Sequence, residues 1–318
     1  MVKNFDIDVS FVMTVYNKEY YLPSVLLALF GQTGLQNPEY IFVDDNSTDK
    51  SVDIIKKFTK GMKNIRIIEN KENKGISPRT NQGIRAARGE YVRLLDSDDI
   101  FPLDSTEKML LLAKGHNVDM VYGNFIKTGE EPQDLTKRKL KIGTYKYYKD
   151  ALMGVLTDRF TRMGQLIKNS VLKKCEGTDE RVFIQDQSLP IRAALFAHGA
   201  IKMSANVVLV PKEQGNFSGN KTQLDHDRFL AYAYAILDNT KLPKKYLKHM
   251  YKHAISAYWK LIKKTAKYPY WHDHFYVYLL NCICPQMPDY DYLKEMKNTF
   301  INIKGMRRTE KNIEFEYK

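Results

Sequence analysis

Short apolar runs that each break off into a polar cluster dominate the first hundred positions. Residues 8–15 (DVSFVMTV) form an apolar run bounded by polar residues, the pattern of a buried strand, and residues 40–43, 65–68 and 91–95 repeat it. The segments between them read as helices. Residues 17–31 carry Leu22, Val25, Leu26 and Leu29 at helical spacing. The polar cluster at 44–49 supplies a cap for a helix through Ile54, Ile55 and Phe58, and residues 80–87 form a third helix. Strands alternating with helices select an α/β fold, a mostly parallel sheet covered on both faces. In such sheets ligands sit at the carboxyl ends of the strands. Three of the four exits here are polar: 14–17, 44–47 and 96–99.

Further along, the pattern predicts a helix over 104–114, a strand over 118–126 and an exposed, charged loop over 127–141. A helix over 145–156, a short strand and turn over 165–172, a helix over 187–198 ending near His198, and a last core strand at 207–210 follow. From about Leu224 the chain reads as helices only. Leu247, Tyr251, Ala254, Tyr258 and Leu261 step by 4, 3, 4 and 3 along one face, while Lys245, Lys248, Lys252, Lys260 and Lys263 fall on another. The expected division is a catalytic unit at 1–223 and a helical, basic region at 224–318.

Charge follows the same division. The 318 residues hold 50 Lys and Arg against 37 Asp and Glu, a net charge of +13. Residues 1–100 have 14 of each sign, 101–200 have 16 basic and 12 acidic, and 201–318 have 20 and 11. The surplus therefore sits on the helical region, where it suits an anionic surface or a contact between copies. A nucleic-acid-binding role is disfavoured, because the half with the polar strand exits is electroneutral and no nucleic-acid-binding motif is present. The cysteines, Cys175, Cys282 and Cys284, give neither a disulfide framework nor a four-ligand zinc pattern. The start lacks a signal-peptide layout and no run makes a good membrane span, so a cytoplasmic location is expected, with peripheral contact at the inner face of a membrane as an option.

The run Leu94-Leu95-Asp96-Ser97-Asp98-Asp99 places a DxD directly after an apolar strand. Two carboxylates one residue apart at a strand end make an oxygen-rich site for Mn²⁺ or Mg²⁺ bridging a diphosphate. A capping turn before Phe101 and Pro102 would use the same residues.

The N-terminal half resembles the nucleotide-sugar domain of family 2 glycosyltransferases, the inverting GT-A enzymes. The matching segments are Ser10-Phe11-Val12-Met13-Thr14-Val15-Tyr16-Asn17, the stretch Tyr40-Ile41-Phe42-Val43-Asp44-Asp45-Asn46-Ser47-Thr48-Asp49, Asn81-Gln82-Gly83-Ile84, and Ala87-Arg88-Gly89-Glu90-Tyr91 leading into the DxD. The resemblance covers residues 8–125 well and 165–218 loosely. It implies a Rossmann-like nucleotide-sugar-binding sheet with flanking helices, and a nucleotide-sugar donor, with a UDP-sugar expected. It also implies a glycan or glycolipid acceptor in polysaccharide, lipopolysaccharide, capsule or cell-wall synthesis.

Carried over residue by residue, it assigns Thr14, Tyr16 and Asn17 to the nucleotide pocket, Asp45 to the base N–H and Arg79 to the diphosphate or base. Asp96 and Ser97 would serve the ribose or sugar, Asp98 the metal, and Asp99 metal or sugar. Relatives carry Glu-Asp where this chain has Gln185-Asp186, so Asp186 inherits the role of general base. Taken alone, Asp186 would equally cap its helix. The loop at 211–221 is where relatives close over the diphosphate; Lys212, Ser218 and Lys221 would contact phosphate there, and the nearest downstream His is His226. A sugar nucleotidyltransferase is a rival, but no Gly-rich phosphate loop follows Val15. A binding-only relative is another, made more credible by Gln185.

Overall fold

The computed structural model describes residues 6–212, apart from 142, 159, 161 and 162, together with 221–303, 306 and 307. Its first half alternates as the pattern requires: β1 (Val9–Val15), α1 (Leu22–Phe30), β2 (Glu39–Asp44), α2 (Ser51–Phe58), β3 (Ile65–Glu69), α3 (Ile76–Ala86), β4 (Tyr91–Asp96) and α4 (Ser105–Gly115). Next come β5 (Met120–Lys127), α5 (Pro132–Leu135), β6 (Tyr145–Tyr148), α6 (Ala151–Thr157), β7 (Gln165–Lys168), α7 (Asn169–Lys174), α8 (Ser188–Ala194) and β8 (Ala200–Val210). The strands form one sheet in the order β3-β2-β1-β4-β7-β5-β8-β6. Neighbours β3-β2-β1-β4 are parallel, β7 is antiparallel to both β4 and β5, β8 is parallel to β5, and β6 closes the edge antiparallel.

Every residue of β1 is buried, as expected of a strand covered on two faces. Phe11, Met13 and Val15 pack with Leu22, Val25 and Leu26 of α1 on one side. Val12 packs with Ile41, Val43 and Ile84 on the other. There α3 lies so close to the sheet that a Cβ on Gly83 would fall 2.2 Å from Val12 Cγ1. Arg93 is fully buried in the middle of β4. It donates to Ser105 Oγ at 2.8 Å, to Thr106 Oγ1 and to the Val207 carbonyl at 3.0 Å, and burial pulls its pKa down to about 9. A guanidinium thus replaces an apolar contact where β4, α4 and β8 meet.

The sheet is mostly parallel as expected, with six of its eight strands running one way and only β7 and β6 reversed. Several other expectations are corrected. The helix expected over 145–156 divides into edge strand β6 and helix α6, because β8 extends over eleven residues instead of four and offers β6 an edge to pair with, while Asp150 caps α6 by accepting the Met153 N–H at 3.0 Å. The loop over 127–141 contains α5, and its Leu135 and Leu140 are buried. Helix α1 starts at Leu22, with Pro23 in its first turn where the missing N–H costs nothing.

Beyond the sheet lie α9 (Lys221–Asp238), α10 (Lys244–Thr265), a 3₁₀ turn (Pro269–Trp271), α11 (Asp273–Ile283) and α12 (Tyr290–Ile301). The residue 223/224 division falls in the first turn of α9. The apolar stripe of α10 is spent inside the protein: Leu247, Tyr251, Ala254, Tyr258 and Leu261 are all buried in a core shared with α9 and α12, where Phe229 stacks on Phe300 at 4.1 Å. Its lysines face outward, Lys245 pairing with Asp150 at 2.6 Å and Lys264 with Asp225 at 2.9 Å. The stripe is therefore core, with the lysines of α10 on its outer side.

Candidate active site

The chain moves from β1 outward to β2 and β3, then returns to place β4 on the other side of β1. The exits of β1 and β4 are thus the switch point, where an open α/β sheet leaves a crevice. At that point Thr14 lies opposite Asp96 in the parallel register, while Val15 lies opposite Asp44 of β2.

Just past β1, Asn17 takes a left-handed backbone (φ 50°), which Asn tolerates better than most residues. Its Oδ1 accepts the Thr48 N–H at 2.8 Å, and its own N–H donates to Ser47 Oγ at 3.0 Å. Asn17 thereby ties the β1 exit to the β2 exit, while Tyr16 beside it is exposed.

Asp45 and Arg79 form a buried pair, Arg79 Nε donating to Asp45 Oδ1 at 2.6 Å. The N–H groups of Lys74 and Gly75 also donate to Asp45, each at 2.8 Å. Arg79 donates in addition to the Glu72 carbonyl. The pair pins the turn before α3 against the end of β2. Nearby, Asp44 Oδ2 accepts the Ser47 N–H at 3.0 Å, whereas its Oδ1 is buried with no hydrogen-bond partner in the structure.

After β4, Ser97 and Asp99 are buried in the turn and Asp98 points out of it. Asp98 Oδ2 accepts from Lys18 Nζ at 2.5 Å. Burial opposes the charge on Lys18, but the Coulombic pull and hydrogen bond of Asp98 outweigh it and raise the ammonium's pKa. Lys18 is the site residue that sequence reasoning missed. Its signal was a cation three positions past β1, facing an exit with three carboxylates.

Among the described residues no group of three or more His, Cys, Asp or Glu side chains is placed to hold a metal ion. A Mg²⁺-like ion that bridges a diphosphate needs only one or two carboxylates, with phosphate and water completing its shell. Asp98 fits that demand: its side chain is 38% exposed and already faces a cation.

The loop with Asp186 reaches the same edge by contact. A Cβ on Gly75, whose N–H holds Asp45, would lie 3.4 Å from the Phe183 ring. Ser77 Oγ donates to the Val182 carbonyl at 2.9 Å. Gln185 turns inward, its Nε2 donating to Thr80 Oγ1 at 3.0 Å, and Asp186 is half-buried beside it. Helix α8 begins at Ser188 with no side-chain cap at Gln187. Lys212 pairs with Glu131 at 3.1 Å. Ser218 lies outside the described residues, as does the side chain of Lys221. His226 is buried in α9, its two ring nitrogens facing Asp227 and the Phe300 carbonyl.

The model of the family described as "Glycosyl transferase family 2" matches residues 10–216. The chain belongs to this family. An uncharacterized glycosyltransferase of Haemophilus influenzae is 32% identical over 165 residues, 52% of this chain and 64% of that protein. GgaB of Bacillus subtilis, a minor teichoic acid biosynthesis protein, is 34% identical over 122 residues, 37% of this chain and 14% of that protein. The chain thus spans less than two thirds of either relative. Among solved structures, TarS 1–349 of S. aureus in complex with UDP-GlcNAc is similar with a TM-score of 0.62 at 16% identity, covering 92% of this chain and 89% of that one. The mannosyltransferase PcManGT of Pyrobaculum calidifontis, in complex with GDP-Man and Mn²⁺, gives 0.58 at 15% identity, over 94% and 86%. The family member described here therefore has the GT-A fold of these glycosyltransferases, with a helical C-terminal region.

Proposed function

We propose that this protein is a metal-dependent inverting glycosyltransferase that moves a sugar from a nucleotide sugar, a UDP-sugar first, to a carbohydrate acceptor in cell-wall or polysaccharide synthesis. The observation that carries the reading is the opposition of Thr14 and Asp96 at the switch point, with Asp98 beside them paired to the Lys18 ammonium. The nucleotide would lie over the exits of β1 and β2, where the unpartnered Asp44 Oδ1 offers an acceptor to a ligand N–H. Tyr16 is the exposed aromatic at that edge, while Asn17, Asp45 and Arg79 hold its walls in place. Asp96, Ser97 and Asp99 shape the turn under the ribose and sugar.

Asp98 would hold Mn²⁺ or Mg²⁺, which supplies charge neutralisation to the leaving diphosphate. Asp186 removes the proton of the acceptor hydroxyl as that oxygen attacks the anomeric carbon from the face opposite the nucleotide. The bond from carbon to the diphosphate oxygen breaks, and its electron pair leaves with the nucleotide. Gln185 sits inward against α3, so the reading assigns the base to the next residue, the half-buried Asp186. Residues 1–223 would be the catalytic unit, and 224–318 a buttress behind it.

The test is a screen of nucleotide sugars for hydrolysis with Mn²⁺, followed by Asp98→Asn and Asp186→Asn on the donor found. Both variants should lose transfer by at least about a hundredfold, the scale of a lost general base. Donor binding without turnover would favour the binding-only relative. No binding of any nucleotide sugar would overturn the reading.

A further inference from the structure

The apolar stripe of α10 is inside the protein, yet the next helix is built the other way round. In α11 the polar His274 and Asn281 are buried, at 0% and 2% exposure, while Tyr276, Leu280 and Ile283 stand out on the opposite face. Tyr268, Tyr270 and Trp271 of the preceding turn are exposed too, Trp271 and Ile283 each at 84%. The inversion has a structural cause. His274 Nε2 donates to the Ile255 carbonyl of α10 at 3.1 Å, which ties the inner face to that helix, while Asn281 Nδ2 donates within α11 to the Val277 carbonyl at 3.0 Å. The platform is firm, because Trp259 of α10 packs against Tyr270, Phe275 and Tyr278 with ring centroids 5.1–5.8 Å apart.

We propose that this face, from Tyr268 to Ile283, is a docking surface for an anionic lipid bilayer, lying in the interface rather than crossing it. No helix among the described residues is long and apolar enough to cross a membrane. Tyr and Trp combine an apolar ring with a polar edge and suit the headgroup boundary, into which Leu280 and Ile283 add aliphatic surface. Charge selects the partner. Residues 259–288 hold four basic side chains, Lys260, Lys263, Lys264 and Lys267, against Asp273 and, from α9, the Asp225 carboxylate beside Lys260 and Lys264, a net of +2. Lys267 Nζ lies 5.3 Å from the Tyr268 ring centroid and Lys263 Nζ 6.0 Å from that of Trp259, so cations flank the apolar patch. A second copy docking the same face onto itself would oppose positive charge with positive charge, and a nucleic acid would gain nothing from Leu280 and Ile283. A bilayer containing anionic lipid satisfies both the charge and the apolar surface. This surface does not depend on the glycosyltransferase reading.

Vesicle flotation with the full chain tests it, using pure phosphatidylcholine and a 70:30 mixture with phosphatidylglycerol. Binding to the anionic vesicles is expected, weakening steeply with salt, with little binding to the neutral ones. The double variant Trp271→Ala, Ile283→Ala should lower apparent affinity by at least about tenfold, the scale of losing two inserted side chains, with an unchanged circular dichroism spectrum. Lys263→Glu with Lys267→Glu should abolish the preference for anionic vesicles. No binding to anionic vesicles would overturn the proposal, as would binding that the Trp271, Ile283 variant leaves unchanged. A lipid-free dimer dissolved by that same variant would overturn it in favour of self-association.

Discussion

Asp227 in α9 accepts the backbone N–H of Ile184 at 2.7 Å, two residues before Asp186. The same carboxylate faces Gln223 Nε2 at 3.0 Å and His226 Nδ1 at 2.6 Å, all of it buried. Arg307 adds a second hold from the same side, its guanidinium 5.5 Å from the Phe183 ring centroid. The helical region therefore grips the Asp186 loop from behind, while Ser77 grips it from α3. An amide at 227 keeps one accepting oxygen where the carboxylate offers two to the Ile184 N–H and Gln223 Nε2. Leaving one buried donor unpaired costs about 1–3 kcal/mol. Asp227→Asn should lower kcat by about tenfold, since each 1.4 kcal/mol is a factor of ten, with donor Kd changed less than twofold. Steady-state kinetics beside calorimetric donor binding checks the split; equal kcat values would show that the loop does not rely on Asp227.

Arg79 and Asp45 are both under a tenth exposed, with side-chain accessibilities of 8% and 7%. Breaking a buried pair by removing one partner costs about 3–5 kcal/mol, because the other charge stays behind. Arg79→Met should therefore show a strongly lowered urea midpoint even without nucleotide. Unchanged stability combined with weakened donor binding would mean that Arg79 acts on the ligand alone.

Lys18 covers Asp98 in the ligand-free protein. A half-exposed ion pair is worth about 0.2–1 kcal/mol. With Lys18→Met, Mn²⁺ should bind about one-and-a-half- to fivefold tighter in the absence of nucleotide, as the ion no longer displaces an ammonium. Asp98→Asn should lose that binding. Calorimetric titration with Mn²⁺ alone reads both, and weaker binding in Lys18→Met would refute the competition.

His274 provides a pH signature. Desolvation by burial lowers its pKa to about 4, and its ring is held neutral with Nε2 donating to Ile255 and Nδ1 accepting from the Tyr292 hydroxyl at 2.6 Å. The unfolded chain takes up that proton near pH 6.5. Between those limits the unfolded state binds more protons, so stability rises with pH. Going from pH 7 to pH 4 should remove about 3 kcal/mol through this residue. His274→Gln should flatten that slope in urea melts across the range; an unchanged slope would place the effect elsewhere.

Much of the architecture was legible because buried parallel strands leave a strong signal. The exits carrying Thr14, Asp45 and Asp96 to Asp99 could be placed from the order of apolar runs alone. The division of 145–156 was not, since an edge strand such as β6 exists only because β8 continues far enough to pair with it. Arg93 was hidden for a similar reason: its partners Ser105 and Thr106 of α4 and Val207 of β8 converge on it from two elements. The Lys18–Asp98 pair spans eighty positions, and its only hint in the sequence is a cation three positions past β1.

The sequence by itself determined the alternation of strands and helices, the carboxylates at the switch point and the concentration of positive charge after residue 200. These are local properties, set by side-chain period and composition. Only the tertiary structure decided which surfaces remain exposed. It buried the stripe of α10 that reads as amphipathic and left Tyr276, Leu280 and Ile283 of α11 exposed. Burial is decided by which neighbours arrive, and α10 meets α11 through the His274 bond to Ile255 and the rings of Phe275 and Tyr278 on Trp259.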